Sequence, residues 1–348
     1  MIKSLSPIPL PLLLERNARL FRNKAALMRW TEKGWARYTY AMLFTAVRRV
    51  AAFLTDAGLE PGERVGVAGG NSPEWVICFL GAQSAGGVAV PLVTGGGGQA
   101  LAEAAGRAQC GFVFATDGLC RDLEDVLPLD RILSFQFSSR YDSLPAIARR
   151  FEESAQEPMD LDAPAAMVMV SRELETPTHR DLMARVNHFY GSGLYGRKDC
   201  FFSVRPLHDP VELILGNLLP LCIGATVGYE QAIEPADLFS DLRAVRPTVM
   251  PVDRALLERL INLMAEGSGG APFCAPGGRA FRAASARALN QLRRGLGGRL
   301  CYTRARKAMG LDALRFFVVT DGPPDPTVVE TLRHLGFPLK DIQEHQPR

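Results

Sequence analysis

One segment of this chain combines a strand, a connecting loop and a helix start in the order that proteins use to hold phosphate groups. An apolar strand is predicted near residues 165–170, and a helix starts at Thr178, a typical N-cap residue. A phosphate cradle needs glycines, because consecutive backbone N–H groups must come close to the anion. Residues 172–177 read RELETP and contain no glycine, no lysine and one hydroxyl. This composition favours an ordinary polar connection, with a remodelled phosphate site as the alternative.

The chemistry of this connection also opposes anion binding. Pro177 has no N–H group to donate, and Glu173 and Glu175 bring negative charge to the place where a phosphate would lie. Loss of a single preorganised donor typically slows an enzyme by about 100- to 1,000-fold. We therefore predict that the segment cannot support chemistry on a nucleotide's phosphates.

A second group of residues with chemical potential is His208 with Asp209 and Glu212. If a helix begins at Pro210, Asp209 is its N-cap and the acidic residue has a structural explanation. The alternative is that His208 forms the polar wall of a ligand pocket.

Two weaker candidates remain in the first two thirds of the chain. His179 follows the N-cap candidate Thr178 and is predicted to be structural. Four glycines at residues 95–98 precede a predicted helix, where an anion-binding nest could form. A glycine run alone favours a flexible turn, so the nest is the alternative.

A strongly basic segment lies between residues 267 and 311, which include no acidic residue. Apolar residues recur at helical spacing within it, so the cations project mainly from the other face of a helix predicted at 280–294. The cations are Arg279, Arg282, Arg287, Arg293, Arg294, Arg299, Arg304, Arg306 and Lys307. A solvated helix face is the default interpretation. The alternative is a contact with anionic lipid, an acyl-carrier partner or a phosphate-bearing ligand.

Composition narrows the class of protein. With 348 residues, 47% of them hydrophobic and 22% charged, the chain can bury a large core and form two subdomains. A net charge of only +3 and sparse aromatic residues in the basic segment argue against nucleic acid as a partner. No apolar run reaches the length of about 18 residues that a membrane span needs, and prolines interrupt the apolar N-terminal stretch, so no signal peptide is predicted.

The seven cysteines are scattered singly among mostly apolar neighbours. They form no pair or histidine group at metal-ligand spacing, so no metal site is predicted. This usage predicts reduced thiols in the core of a cytoplasmic protein.

Helical and strand patterns alternate along the sequence, as expected for a parallel α/β fold. Residues 64–68 are a typical buried strand, and residues 40–57 carry apolar side chains at helical spacing. An acidic stretch with two prolines at 152–164 predicts the boundary between a first α/β subdomain, residues 1–160, and a second, residues 161–348.

Several motifs resemble, in their order along the chain, those of the adenylate-forming family, which includes the AMP-forming acyl-CoA synthetases. Residues 54–67, LTDAGLEPGERVGV, and 71–75, NSPEW, are similar to the family's G-x-x-x-G-D-x-V and N-S-x-E-W segments. Residues 85–92, AGGVAVPL, resemble its A-G-x-x-x-x-P-L motif. Residues 205–208, RPLH, resemble its Pro-Leu-x-His segment, and residues 300–324 are most similar to the long-chain fatty acyl branch. Such motifs reflect caps, turns and packing, so they indicate fold more than chemistry.

The resemblance implies two stacked α/β subdomains with mainly parallel sheets, like the N-terminal domain of an acyl-CoA synthetase and lacking the small C-terminal domain. It also implies a vestigial acyl or nucleotide pocket, with residues Ser171, Thr178, His179, His208, Asp321 and Gly322. Asp321 stands where the family has the first glycine of a pair beside the acyl-adenylate, which puts bulk and charge next to the ligand.

The last residues of the sequence also differ from the family. By register, Gln343 stands in place of the tyrosine that faces adenine, and Pro347 in place of the glutamate that holds magnesium. Glu344 is a poor substitute for that metal ligand.

These features together predict an acyl-CoA synthetase-like protein that is inactive in adenylation and acts by binding or regulation. Its candidate partners are an acyl ligand, an anionic lipid surface or another protein, and no cofactor is predicted. The alternative is an AMP-forming fatty acid–CoA ligase that uses ATP and Mg²⁺ and is completed by another polypeptide. A gene remnant without a selected function is the third possibility.

Overall fold

The computed structural model describes residues 4–31, 33–170, 173–230, 235–265, 306–334 and 336–341. Its strands are β1 (Ala25–Thr31), β2 (Gly34–Thr39), β3 (Arg64–Ala68), β4 (Val88–Leu92), β5 (Cys110–Ala115), β6 (Ile132–Ser134), β7 (Asp142–Ser143), β8 (Val168–Val170), β9 (Glu173–Glu175), β10 (Cys200–Ser203), β11 (Thr226–Tyr229), β12 (Val249–Val252), β13 (Phe316–Val319) and β14 (Leu339–Asp341). Its α-helices are α1 (Leu10–Leu20), α2 (Tyr40–Asp56), α3 (Pro73–Ser84), α4 (Gly97–Arg107), α5 (Asp117–Cys120), α6 (Leu144–Arg150), α7 (His179–Gly191), α8 (Leu219–Ile223), α9 (Pro235–Val245), α10 (Arg254–Ala265) and α11 (Pro326–His334), and a π-helical segment spans Glu212–Leu218.

Two mainly parallel sheets form the framework of these elements. The larger sheet has the strand order β14-β13-β12-β10-β11-β1-β2, and only its β1–β2 pair is antiparallel. The smaller sheet has the order β4-β3-β5-β6-β7 and is parallel throughout. Strands β8 and β9 form a separate antiparallel ribbon. The predicted α/β class with mainly parallel sheets is confirmed.

Helix α3 shows how the two sheets share one core. Ser72 accepts a hydrogen bond from the Trp75 N–H at 3.2 Å, and Pro73 occupies the first turn, where no N–H is required. Every residue from Pro73 to Ser84 is buried, so the helix is packed on all its faces. The same hydrophobic cluster contains Val65 of the smaller sheet and Val227 of the larger one.

The larger sheet draws on both ends of the described chain. Strands β1 and β2 come from residues 25–39, yet β1 pairs in parallel with β11, where Leu27 faces Val227. The predicted division between residues 1–160 and 161–348 therefore does not separate the two sheets.

The acidic stretch near residue 155 is tied to helix α2 by a buried arginine. Arg48 is 2% exposed, and it donates hydrogen bonds to Ser84 Oγ at 3.0 Å, Ser154 Oγ at 2.8 Å and Gln156 Oε1 at 2.8 Å. It also donates to the carbonyls of Ser154 and Ala155. Burying a guanidinium raises the free energy of the folded state unless its N–H groups have acceptors. Residues 154–156 supply those acceptors, so the hydrogen bonds of Arg48 hold this segment in place.

We expect Arg48→Met to destabilise the protein by about 2–4 kcal/mol, because the acceptors of residues 154–156 lose a charged donor. The free energy of unfolding in urea measures this effect, and limited proteolysis should show new cleavage within residues 152–160. The control Arg107→Met changes an exposed arginine of α4 and should stay within about 0.5 kcal/mol of the wild type. Equal stability of the two variants would contradict the role of Arg48.

Candidate functional site

The carboxyl ends of strands β10 and β12 define the place where a ligand site is expected. Strand β10 lies between β11 on one side and β12 on the other, so the order of the strands reverses between β10 and β12. In open α/β sheets, ligands bind outside the carboxyl ends of the strands at such a switch point. The residues that follow Ser203 and Val252 therefore line the candidate site.

The connection after β8 is an antiparallel ribbon. Strand β8 pairs with β9 at Val168–Glu175, Met169–Leu174 and Val170–Glu173. Glu175 forms an ion pair with Arg185 of α7 at 2.7 Å. The residue pattern at 173–175 does not predict strand β9. The predicted pocket residue Ser171 lies outside the described residues. Backbone N–H groups of β8 and β9 are therefore used in the pairing of these two strands. A phosphate cradle would need such N–H groups to be open to the anion.

The start of α7 is closed by the protein itself. Its first four N–H groups are donated as follows: His179 to the Ala163 carbonyl at 3.2 Å, Arg180 to the Leu161 carbonyl at 2.8 Å, Asp181 to Thr178 Oγ1 at 3.2 Å and Leu182 to the Thr178 carbonyl at 3.0 Å. The carboxylate of Asp181 accepts the Thr178 N–H at 2.9 Å, which completes a capping box. The predicted N-cap at Thr178 is confirmed, and an anion here would have to displace existing partners.

His179 lies in the core beneath this helix start. It is 2% exposed, and burial lowers the pKa of its imidazole to about 4, against an opposing effect of Asp160. Its Nδ1 has no hydrogen-bond partner among the described residues. His179 is therefore neutral at pH 7.

Arg205 is the cation at the switch point. Its guanidinium donates to Asp209 at 2.8 Å and to the hydroxyl of Thr320, and it forms an ion pair with Asp253 at 3.6 Å. Its side chain is 15% exposed. Arg205 thus links the carboxyl ends of β10, β12 and β13, and two carboxylates offset its charge.

Asp321 and Asp253 both cap helix α10. The Arg254 N–H donates to Asp321 Oδ1 at 2.9 Å, and the Leu256 N–H donates to Asp253 Oδ1 at 2.7 Å. The Arg254 guanidinium also contacts Asp321 at 3.3 Å. The charge that Asp321 adds is therefore used at a helix N-terminus. Gly322, which follows, is buried with φ +101°, a conformation that favours glycine.

Asp209 caps the helical segment after β10, as the sequence predicts. Its Oδ1 accepts the N–H groups of Val211 at 2.9 Å and Glu212 at 3.0 Å. The helix then continues as the π-helical segment Glu212–Leu218, which the sequence pattern does not distinguish from an α-helix. His208 is half-buried, and burial lowers the pKa of its imidazole against the opposing charge of Asp209.

A buried polar network lies next to this cap. Ser203 Oγ donates to Glu212 Oε1 at 2.6 Å and accepts from Asn217 at 3.2 Å and Asn71 at 3.1 Å. The hydroxyl of Tyr229 donates to Asn217 Oδ1 at 2.7 Å. These contacts join strands β10 and β11 to the π-helical segment and to the start of α3.

Glu212 is the buried carboxyl group of this network. It is 0% exposed, its Oε2 has no partner among the described residues, and burial raises the pKa of its carboxyl to about 8. Glu212 is therefore mostly protonated at pH 7. The signal in the sequence is Glu212 itself, the one acidic residue in the apolar run 211–223, VELILGNLLPLCI.

The glycine run at 95–98 faces a carboxylate of the protein. A Cβ added at Gly98, near the start of α4, would lie 2.3 Å from Asp122 Oδ1. A side chain at position 98 would therefore displace the carboxylate of Asp122. The alternative of an open anion-binding nest receives no support from this geometry.

Most of the predicted basic patch lies outside the described residues, namely Arg279, Arg282, Arg287, Arg293, Arg294, Arg299 and Arg304. Of the remainder, Arg306 donates hydrogen bonds to the carbonyls of Leu311 at 3.2 Å, Leu314 at 2.6 Å and Gly336 at 3.1 Å. Its guanidinium also lies over the ring of Phe337. Arg306 therefore has a structural use, whereas Lys307 is exposed on a short turn of helix.

The structure brings only some of the predicted pocket residues together. Arg205 connects Asp209, the neighbour of His208, to Thr320, the neighbour of Asp321. Thr178 and His179 bond instead to the segment 161–165. Gln343, Glu344 and Pro347, which bear on the metal and the adenine, lie outside the described residues.

A family sequence model agrees with the motifs at the turns of this fold. Residues 14–170 match the sequence model of a family described as AMP-binding enzyme, so the predicted resemblance to adenylate-forming enzymes is confirmed. The match covers the smaller sheet, strands β1 and β2, and the chain up to β8.

The curated relatives are long-chain fatty acid ligases by name. The chain is 33% identical to Long-chain-fatty-acid–CoA ligase ACSBG2 of Rattus norvegicus over 87 residues, which cover 25% of this chain and 13% of that protein. It is 20% identical to ACSBG2 of Homo sapiens over 373 residues, which cover 97% of this chain and 56% of the relative. The chain thus spans little more than half of the human relative.

Solved structures show the same fold at low sequence identity. The anthranilate CoA ligase AuaEII in complex with anthranoyl-AMP matches with a TM-score of 0.75 and 15% identity, over 96% of this chain and 58% of that one. The inhibitor-bound N-terminal domain of FACL13 from Mycobacterium tuberculosis matches with a TM-score of 0.71 and 15% identity, over 96% and 75% of the two chains. The prediction that this chain has the fold of an acyl-CoA synthetase N-terminal domain is confirmed.

Neither a candidate membrane-spanning helix nor a candidate metal-binding group occurs among the described residues. None of their helices is long and apolar enough to cross a membrane. They also hold no group of three or more histidine, cysteine, aspartate or glutamate residues suited to a metal ion.

Glu212 should give the protein a pH-dependent stability that Glu212→Gln removes. Between pH 4.5, the ordinary pKa, and about 8, the unfolded chain loses the proton that the folded chain keeps. The wild type should therefore lose up to about 1.4 kcal/mol per pH unit relative to the neutral variant as the pH rises through this window. Urea unfolding at a series of pH values measures the difference.

The matched control for this experiment is Glu103→Gln, which changes an exposed glutamate of α4. Its stability should follow the wild type at every pH. If the curves for Glu212→Gln and the wild type also run parallel, Glu212 is ionised in the folded protein and the assignment is wrong.

Proposed function

We propose that this protein uses an acyl-CoA ligase-like fold for binding or regulation and does not form acyl adenylates. The observation that carries the proposal is the closed start of α7, where the first four N–H groups already have partners. Adenylation requires a phosphate cradle of open donors, and their loss typically costs about 100- to 1,000-fold in rate per donor.

The carboxyl edge of the larger sheet supports the same proposal. Asp209, Asp253 and Asp321 lie there with Arg205 and cap two helix starts. A triphosphate would meet three carboxylates and would have to compete for helix N–H groups that these residues occupy. This occupation of the helix N–H groups supports the proposal that the triphosphate of ATP does not bind at this edge.

The ligand that we propose is an acyl or aryl carboxylate or its thioester. The relatives are named as long-chain-fatty-acid–CoA ligases, and the similar structures include an anthranilate CoA ligase. His208 remains beside the capped segment after β10 and is our candidate for the polar wall of such a pocket. For a regulatory role, the alternative target that we propose is an anionic lipid surface or a protein partner. The cytoplasmic location remains a prediction.

The test of the proposal is carboxylate-dependent exchange between labelled pyrophosphate and ATP, with octanoate and palmitate as substrates. We expect the purified chain to show no exchange above the level without carboxylate. An active acyl-CoA ligase with an intact glycine-rich loop, assayed in parallel, is the positive control.

Clear exchange by the purified chain would defeat the proposal, and exchange that requires a second polypeptide would favour the alternative of a completed ligase. Thermal unfolding adds a binding readout, because a ligand of the folded state raises the midpoint by mass action. Palmitate or palmitoyl-CoA should raise the midpoint more than Mg-ATP does.

A further inference from the structure

A cleft lies at the amino end of strand β10, opposite the candidate site. Residues 196–199 lead into β10, and the cleft beside them has a volume of about 630 Å³. Its lining includes Arg197, Lys198, Asp199 and Arg315, with Tyr190 and Ile223 on the apolar side. This volume is in the range of small-molecule sites, which is about 300–1,000 Å³. We call it the amino-edge cleft.

Asp199 fixes the floor of the amino-edge cleft. It is 4% exposed and accepts from the Arg315 guanidinium at 2.6 and 2.8 Å, from Thr248 Oγ1 at 2.7 Å and from the Gly196 N–H at 2.8 Å. Arg315 also donates to the Leu194 carbonyl at 2.9 Å. The only carboxylate among the described lining residues is thus already committed to the protein's own donors.

The other two cations of the cleft are available to a ligand. Arg197 and Lys198 are exposed, and neither side chain forms a hydrogen bond or ion pair with another described residue. Behind them, Lys24 donates to the carbonyls of Arg197 and Gly224, and burial lowers the pKa of its ammonium group. Three cations and one carboxylate give the lining a net charge of +2, with a further cation close by.

We propose that the amino-edge cleft binds a small soluble molecule that carries a phosphate or diphosphate group. Arginine presents a planar fork of donors to phosphate oxygens, and lysine adds a point charge on a flexible stem. The sides of Tyr190 and Ile223 offer contact area to the rest of the molecule. This site is distinct from the carboxyl edge, where the three carboxylates of Asp209, Asp253 and Asp321 outnumber the cations Arg205 and Arg254.

The test is calorimetric titration of the purified chain with inorganic pyrophosphate. We expect saturable binding that weakens as salt is added, and a loss of at least about tenfold in affinity for the double variant Arg197→Ala with Lys198→Ala. The matched control is Arg107→Ala with Arg121→Ala, which removes two exposed cations from the smaller sheet's side and should bind like the wild type. Both changes are on the surface, and equal thermal midpoints without ligand verify the fold.

The proposal is overturned if the wild type does not bind pyrophosphate saturably or if the double variant binds it as the wild type does. A second arm uses phosphatidylcholine vesicles that contain phosphatidic acid. Binding to these vesicles without binding to pyrophosphate would assign the cleft to a membrane surface and would also overturn it. A thermal response to ATP that disappears in the double variant reports this cleft, whereas one that persists counts against the proposed function.

Discussion

Every α-helix begins with backbone N–H groups that have no partner within the helix, and these groups govern how this fold can meet an anion. At α7 they are taken by the carbonyls of residues 161 and 163 and by the capping box of Thr178. After β10 and at α10 they are taken by aspartates. The same local chemistry that makes these helices start cleanly therefore occupies N–H groups that an anion could otherwise bind.

The two ends of the larger sheet differ in charge as a result. At the carboxyl ends of its strands, aspartates cap helices and surround Arg205, and the buried Glu212 holds a proton nearby. At the amino end of β10, Asp199 forms an ion pair with Arg315, while Arg197 and Lys198 are exposed to solvent. The fold is that of its relatives, but the attraction for anions is stronger at the edge away from the switch point.

Much of the fold was predictable because its signals are local. The strand at 64–68 and the helix at 40–57 follow from apolar patterns, and Asp209 follows as a cap from the proline at position 210. Strand β2 and the ribbon strand β9 were missed, because their stability comes from pairing rather than from an apolar pattern. The burial of Glu212, the ion pairs of Arg205 and the hydrogen bonds of Arg48 depend on how the chain folds. A single sequence does not show such contacts.

Strand β1 joins the larger sheet through partners that the ribosome makes much later. The hydroxyl of Thr226 in β11 donates to the Ala25 carbonyl at 2.7 Å, and these residues are 201 positions apart. Closing a loop of that length costs entropy before any contact rewards it, which makes such topologies slow to fold. Residues 25–39 can pair with each other as the β1–β2 hairpin, but the other edge of β1 has no strand partner until β11 has been translated, so that edge stays exposed during this interval.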